Sequence, residues 1–308
     1  MIPSLITTDL TYHWQKREMH DIFNKQERDH YITMGEIGRI RKEIERETIR
    51  LDPNNARSTR IWVETLQSEG NFLCYKDKLD QPPEGSDLAN DVFFLCIQTK
   101  FQQEVFKHLG NAFLGADATH NVTQYEGILL FTMMAQDHWG KGTQIIYSGY
   151  LGGSTISVGV PVAWMLSSNG TYVTIKYFLQ LIKAQNPDIS PNIYMTDRDQ
   201  AQVKAIRATY PSCRVLYCWW HVLRAIRTRF MIIAFPKLWA LIQDWVHTTD
   251  EAQFDAWWEQ MQTNTSYPDT VIGYLARDWV PCKDMWSAIF RQNRTIFEEG
   301  DTNMLLES

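Results

Sequence analysis

Two aspartates hold the same place in two separate apolar stretches: Asp117 follows "AFLGA" and Asp197 follows "NIYMT". If both stretches are neighbouring parallel strands, the two carboxylates stand together at the carboxyl edge of one sheet, where open α/β sheets gather their functional groups. Close carboxylates repel, which raises the pKa of one of them unless a cation lies between them. A hard divalent ion such as Mg²⁺ takes oxygen ligands and removes that cost. The matched positions predict carboxylates within about 6 Å of each other, able to share a metal ion. Each residue also has an ordinary reading. Aspartate is common where strands stop and turns begin, and Asp197 can cap the helix that holds Ala201 to Ala208. The local sequence leaves both readings open. Asp199 reads as a first-turn residue of that helix.

"CWWH", Cys218 to His221, has the spacing of a metal-ligand pair, but no second pair at matching spacing follows and Cys282 is the one cysteine downstream. It is half of a zinc site. The alternatives are a buried cysteine and histidine packing the end of a core strand, or a pair that positions structure or DNA. In "HVLRAIRTRF", Arg224 and Arg227 fall on one helical face, suited to phosphate contacts or to plain solvation. Trp257, Trp258, Trp279 and Trp286 read as core rather than as base-stacking platforms. No GxSxG, GxxxxGK[ST], HExxH or GxGxxG is present, which removes the usual footing for serine hydrolase, P-loop, zincin and dinucleotide chemistry.

The elements that must position these residues follow from periodicity and punctuation. Ile37, Ile40, Ile44 and Leu51 mark one amphipathic helix in a charge-dense stretch over 12–50, with alternating signs that suit a solvated face. A second short helix runs from Ser58 to Gly70. "NFLCYKDKLD" reads as a strand, and "QPPEGSDLAND" from Gln81 to Asp91 as a linker that sets a boundary near residue 90. Beyond it, "VFFLCIQ", "AFLGADA", "GILLFTMMAQD", "VGVPVAWMLSS", "NIYMTD" and "CRVLYCWWHV" read as strands. Helices follow Thr99, a candidate cap, and occupy "NGTYVTIKYFLQLIKAQN" and "RDQAQVKAIRATYP". Tryptophan-rich helical sequence runs from Leu223 to Arg294. This order describes a helical N-terminal region, 1–90, and an α/β domain with a mixed sheet flanked by helices, 91–308. The Gly- and Ser-rich segment between Lys141 and Val160 reads as an inserted loop, with an extra hairpin as the alternative.

The chain has 308 residues, 44% hydrophobic and 21% charged, enough to bury a sizeable core. No run of 18 or more apolar residues and no signal-like N-terminus stand in it, so a membrane or secretory role is not expected. Five scattered cysteines suit free thiols in a reducing compartment. A net charge of -6 argues against a uniformly basic nucleic-acid-binding protein but permits local basic patches.

Taken in order, "IQTKFQQEVFKHLGNAFLGADATHNVTQYEG", "VPVAWMLSS", "MTDRDQAQVKAI", "YPSCRVLYCWWHVLRA" and "GDTNMLLES" resemble the catalytic region of Mutator-like element (MULE) transposases, from about residue 92 to the last residue. The resemblance implies an RNase H-like fold with a helical insertion at about 223–300, and a DDE triad of Asp117, Asp197 and Glu307. It places the family's CxxH on Cys218 and His221. It implies two Mg²⁺ or Mn²⁺ ions about 4 Å apart, DNA cleavage and strand transfer, DNA as partner with a possible homo-oligomer, and a nuclear location. The chain ends one residue after Glu307, so a helix cut short at the C-terminus is expected. The segment from Thr143 to Val158 is extra to the family pattern, and no zinc-finger segment flanks the region. The missing fingers and the clipped end also suit a domesticated or decayed derivative that binds DNA without cutting it.

Overall fold

The computed structural model describes residues 50–120, 127–135 and 160–291, with isolated helical positions at 35, 38–40 and 43. The charge-dense stretch 12–50, with most of the amphipathic helix expected on Ile37, Ile40, Ile44 and Leu51, lies almost wholly outside the described residues, and the segment 143–158 and Glu307 lie outside them too. The chain forms two compact units, 1–62 and 63–308. Helix α1 (Asn55–Glu69) contains the boundary.

The second unit is built on one seven-stranded mixed sheet. Its strands are β1 (Phe72–Lys76), β2 (Phe94–Ile97), β3 (Phe113–His120), β4 (Leu129–Ala135), β5 (Val160–Ser167), β6 (Ile193–Thr196) and β7 (Arg214–Tyr217), in the order β1-β2-β5-β4-β3-β6-β7. The pairs from β1 to β3 are antiparallel, whereas β3/β6 and β6/β7 are parallel. Parallel neighbours need crossover connections. Helices α3 (Tyr172–Gln185) and α4 (Gln200–Thr209) occupy the stretches that lead into β6 and β7.

Strand alternation sorts the core. Leu114 and Ala116 of β3, Tyr194 of β6 and Val215 and Tyr217 of β7 belong to the main core, with Val105 and Phe106 of α2 (Lys100–Leu109) and Ile175, Phe178 and Ile182 of α3. Phe113, Ile193, Met195, Leu216 and Cys218 form a second, smaller cluster on the opposite face, with Trp220 packed against it. The expected Thr99 cap is present: its hydroxyl accepts from the Gln102 amide at 3.1 Å while Gln102 accepts from the Thr99 amide at 2.8 Å. This reciprocal pairing satisfies two amides that a helix start otherwise leaves without partners.

The expected strand "CRVLYCWWHV" is shorter. β7 stops at Tyr217, Cys218 is the N-terminal boundary residue of helix α5 (Trp219–Arg227), and His221 sits in its first turn. A short apolar run does not distinguish a strand from a buried helix start. Beyond α5 come α6 (Pro236–His247), α7 (Glu251–Thr263), α8 (Asp269–Asp278) and α9 (Lys283–Trp286). The fully buried Trp245 joins α6 to α7 and α9, stacking on Phe254 and Trp258 with centroids at 4.8 and 5.3 Å and meeting Trp286 edge-on at 4.8 Å. Trp279 and Trp286 are fully buried as well, so both are core residues. The helical layer is tied back to the sheet: Trp219 Nε1 donates to the Trp286 carbonyl at 2.5 Å, and Arg291 donates to the Tyr217 carbonyl while lying 4.4 Å from the Trp219 ring centroid.

The segment Gln81 to Asp91 lacks regular structure but is tied down at its end, and β1, on its far side, is part of the sheet. Lys76, 1% exposed, donates to the carbonyls of Asp77, Asn90 and Val92 at 3.1, 2.7 and 2.9 Å. Hydrogen bonds to a charged group contribute about 1.5–3 kcal/mol. Lys76→Met is expected to lower urea-unfolding stability by roughly that amount and to open 81–91 to limited proteolysis. Unchanged stability and cleavage would show that this ammonium does not hold the segment.

Candidate active site

β3 and β6 run parallel with Leu114 opposite Tyr194 and Gly115 opposite Met195. Two further steps bring Asp117 level with Asp197. Adjacent strands lie about 4.8 Å apart, so the two carboxylates leave neighbouring backbones side by side. By alternation both point to the face that carries Phe113, Ile193 and Met195. The same ladder continues in both directions. Ile97 opposes Trp164, Trp164 opposes Thr132 and Thr132 opposes Asp117, while Thr196 opposes Tyr217, so that Asp197 is followed by Cys218.

Asp117 is not at a strand end. It is a half-buried residue in the middle of β3, with Ala118, Thr119 and His120 still paired to β4. The local sequence suggested a turn because its apolar run stops at Asp117, whereas the strand continues as exposed residues at its tip.

Asp197 stands one residue past β6 and is half-buried. Its carboxylate accepts from the Asp199 amide at 3.1 Å. The cap of α4 is Asp199, which accepts from the Ala201 amide at 2.7 Å. This corrects both expectations for the turn: Asp199 does the capping, and Asp197 is left facing Asp117. Thr196 beneath it donates to the buried Gln202 side chain, bracing the strand against α4.

The electrostatics report the same cluster. Burial pushes the Asp197 carboxyl above its ordinary value, and the charges of Asp199 and Asp117 add to that push. The Asp199 amide and the charge of His221 pull the other way. His221 therefore stands within electrostatic reach of the acidic pair, carried there by the first turn of α5. Its ring meets Trp220 edge-on at 4.8 Å. Cys218 is fully buried in the second cluster, and its amide donates to the Thr196 carbonyl at 2.9 Å. The two ends of CWWH thus have different surroundings, one anchoring β7 to β6 and one within electrostatic reach of Asp197. Arg224 and Arg227 are exposed further along α5, Arg224 with its guanidinium 4.6 Å from the Trp220 ring centroid.

Arg198, which the sequence did not single out, ties this turn to the helical layer. It donates to the Asp278 carbonyl at 2.9 Å and to its carboxylate at 3.3 Å, and stacks 4.7 Å from the Trp279 centroid. Its partners lie 80 residues away, so no local pattern could reveal them. A cleft of about 460 Å³ beside it is lined by Arg207, Arg277, Asp278 and Asp284, apart from the acidic pair.

The pair suits a hard divalent ion. Mg²⁺ is commonly held by one or two carboxylates with water and substrate oxygens completing its shell. Among the described residues no group of three or more His, Cys, Asp or Glu is placed to hold a metal ion, and the third expected carboxylate, Glu307, lies outside them.

Residues 85–216 match a family model described as the RNaseH-like domain of zinc finger SWIM domain-containing protein 1/3. The matched segment spans β2 to β7 and contains both aspartates. With the mixed sheet and its flanking helices, it identifies this part of the chain as an RNase H-like domain. A search of curated proteins returned no match.

A carboxyl whose folded-state pKa is raised contributes stability that is fully present below the unfolded value, near pH 3.9. That stability is lost as pH rises through the folded value. Without metal, Asp197→Asn should therefore melt above the wild type at neutral pH, with a gap that shrinks on acidification. Thermal melts across pH 4–8 in EDTA test this. A variant less stable at pH 7, with a pH-independent gap, would contradict the assigned electrostatics.

Proposed function

We propose that this chain is the catalytic region of a Mutator-like transposase, cleaving DNA strands in a metal-dependent reaction and transferring their ends. The observation that carries the reading is the β3–β6 register that brings Asp117 level with Asp197 on one sheet face. The RNase H-like match over 85–216 and the ordered motifs described above support it. Asp117 and Asp197 would hold Mg²⁺ or Mn²⁺, with Glu307 as the third carboxylate. A bound ion supplies activation of water or a 3′-hydroxyl and stabilises the leaving oxygen.

The chain's own residues prepare that site. Burial and the charges of Asp199 and Asp117 disfavour ionised Asp197 in the absence of a cation, and a bound cation would relieve that repulsion. The Asp199 amide orients the carboxylate, and Arg198 holds the turn against α8. Cys218 locks β7 beside β6, and α5 then carries Arg224 and Arg227 outward, where they can meet phosphates. DNA as partner implies a nuclear site of action. Strand transfer at two DNA ends would be served by a homo-oligomer.

One observation favours a second reading. The matching family model is described by a zinc finger SWIM domain-containing protein rather than by a transposase. This suits a derivative that keeps the fold and binds DNA without cutting it.

Nicking of supercoiled plasmid separates the two. The transposase reading expects nicking with Mn²⁺ or Mg²⁺, none in EDTA, and a loss of about 10³-fold in Asp117→Ala and Asp197→Ala, since metal stabilisation contributes several kcal/mol. DNA binding without nicking by the wild type supports the derivative. Equal nicking by wild type and both variants would assign cleavage to another source.

A further inference from the structure

The stretch that follows the acidic pair is strongly basic. Between Asp199 and Asp244 there is no acidic residue, while Lys204, Arg207, Arg214, Arg224, Arg227, Arg229 and Lys237 stand there, in a chain of net charge -6. Within it, the turn between α5 and α6 exposes two large aliphatic side chains, Met231 at 71% and Ile233 at 91%. The two side chains stand two residues apart on a hydrogen-bonded turn whose flanks are packed down. Phe230 on one side packs against Trp239 with ring centroids 6.3 Å apart, and both Phe230 and Phe235 rest on the main core. The Ala234 amide donates to the Met231 carbonyl at 3.0 Å, and the Phe235 amide to the Ile232 carbonyl at 3.1 Å. The tip is therefore an ordered double turn with anchored aromatic shoulders and an apolar crown.

We infer that this crown is a wedge for duplex DNA, with Met231 and Ile233 entering between base steps and kinking the helix. The inference rests on the DNA-binding part of the reading above but not on cleavage. Charge and direction select the partner. α5 starts beside Asp197, presents Arg224 and Arg227 on its exposed side and ends at the turn, where exposed Arg229 and Lys237 flank the crown. Nine helical residues span about 13–14 Å. At about 3.4 Å per base pair, a duplex whose backbone passes the acidic pair meets the crown roughly four to five base pairs away. One or two apolar side chains beside basic ones suffice to unstack a base step. A membrane surface calls for a broader apolar face, and a stable second copy calls for about 800 Å² per partner, more than two side chains present.

A short duplex carrying fluorophores at both ends tests this in EDTA, so that no cleavage intervenes. Saturating wild-type protein is expected to raise energy transfer by kinking the duplex. Met231→Ser/Ile233→Ser should bind several-fold more weakly and leave the duplex straight at saturation, with an unchanged melting temperature. Arg224→Ala/Arg227→Ala should lower the salt dependence of binding by about two units of log–log slope and still kink the duplex at saturation. A tip variant that bends DNA as the wild type does overturns the wedge, as does a wild type that binds DNA and leaves it straight. A tip needed for binding to anionic vesicles or for self-association, but not for DNA bending, overturns it in favour of those partners. Failure of the wild type to bind duplex at all counts against the DNA reading as a whole, whereas bending without nicking removes only cleavage.

Discussion

Leu114 opposite Tyr194 and Gly115 opposite Met195 set a parallel register on which the rest of this molecule depends. A slip of one residue would turn Asp197 to the other face of the sheet, into the main core, because strand side chains alternate with a period of two. Phe113, Ile193 and Met195 on one face and Leu114, Ala116 and Tyr194 on the other make that slip costly. The apolar packing therefore does electrostatic work, holding two like charges together at a place neither would choose alone.

The remaining elements keep that register from relaxing. Asp199 caps α4 and so spares Asp197 from doing it. Arg198 crosses to Asp278 and Trp279, and Trp219 and Arg291 join α5 and β7 to the aromatic layer around Trp245 and Trp286. The helical layer is thus more than an appendage. It grips the two segments, the β6–α4 turn and the β7–α5 junction, that carry Asp197 and His221. A raised Asp197 carboxyl is the expected signature of a site whose strain is held by its surroundings.

Much of this was legible because the informative residues were local. The two aspartates follow apolar runs of similar length, and those runs proved to be adjacent strands. The Thr99 cap is a four-residue pattern, and Trp279 and Trp286 read as core by size alone. Other features depend on distant partners. The role of Arg198 needs Asp278, 80 residues on, and β1 joins the sheet across a segment whose Pro and Gly content suggests a boundary. The junction at Tyr217 is hidden in the sequence because "LYCWWHV" is apolar at both strand and helix periods, so the switch from β7 to α5 leaves no mark in composition. The alternative of Asp197 as cap fails for a smaller reason: "TDRD" offers two aspartates, and only backbone geometry decides which reaches the amide of Ala201.

The proposed divalent-ion site of Asp117 and Asp197 rests on the β3–β6 register. Anomalous diffraction from crystals soaked in Mn²⁺ addresses it directly. A peak is expected between the two carboxylates, with an oxygen of each at a coordination distance of roughly 2 Å. A peak elsewhere, or none with both carboxylates ordered and turned apart, would contradict it.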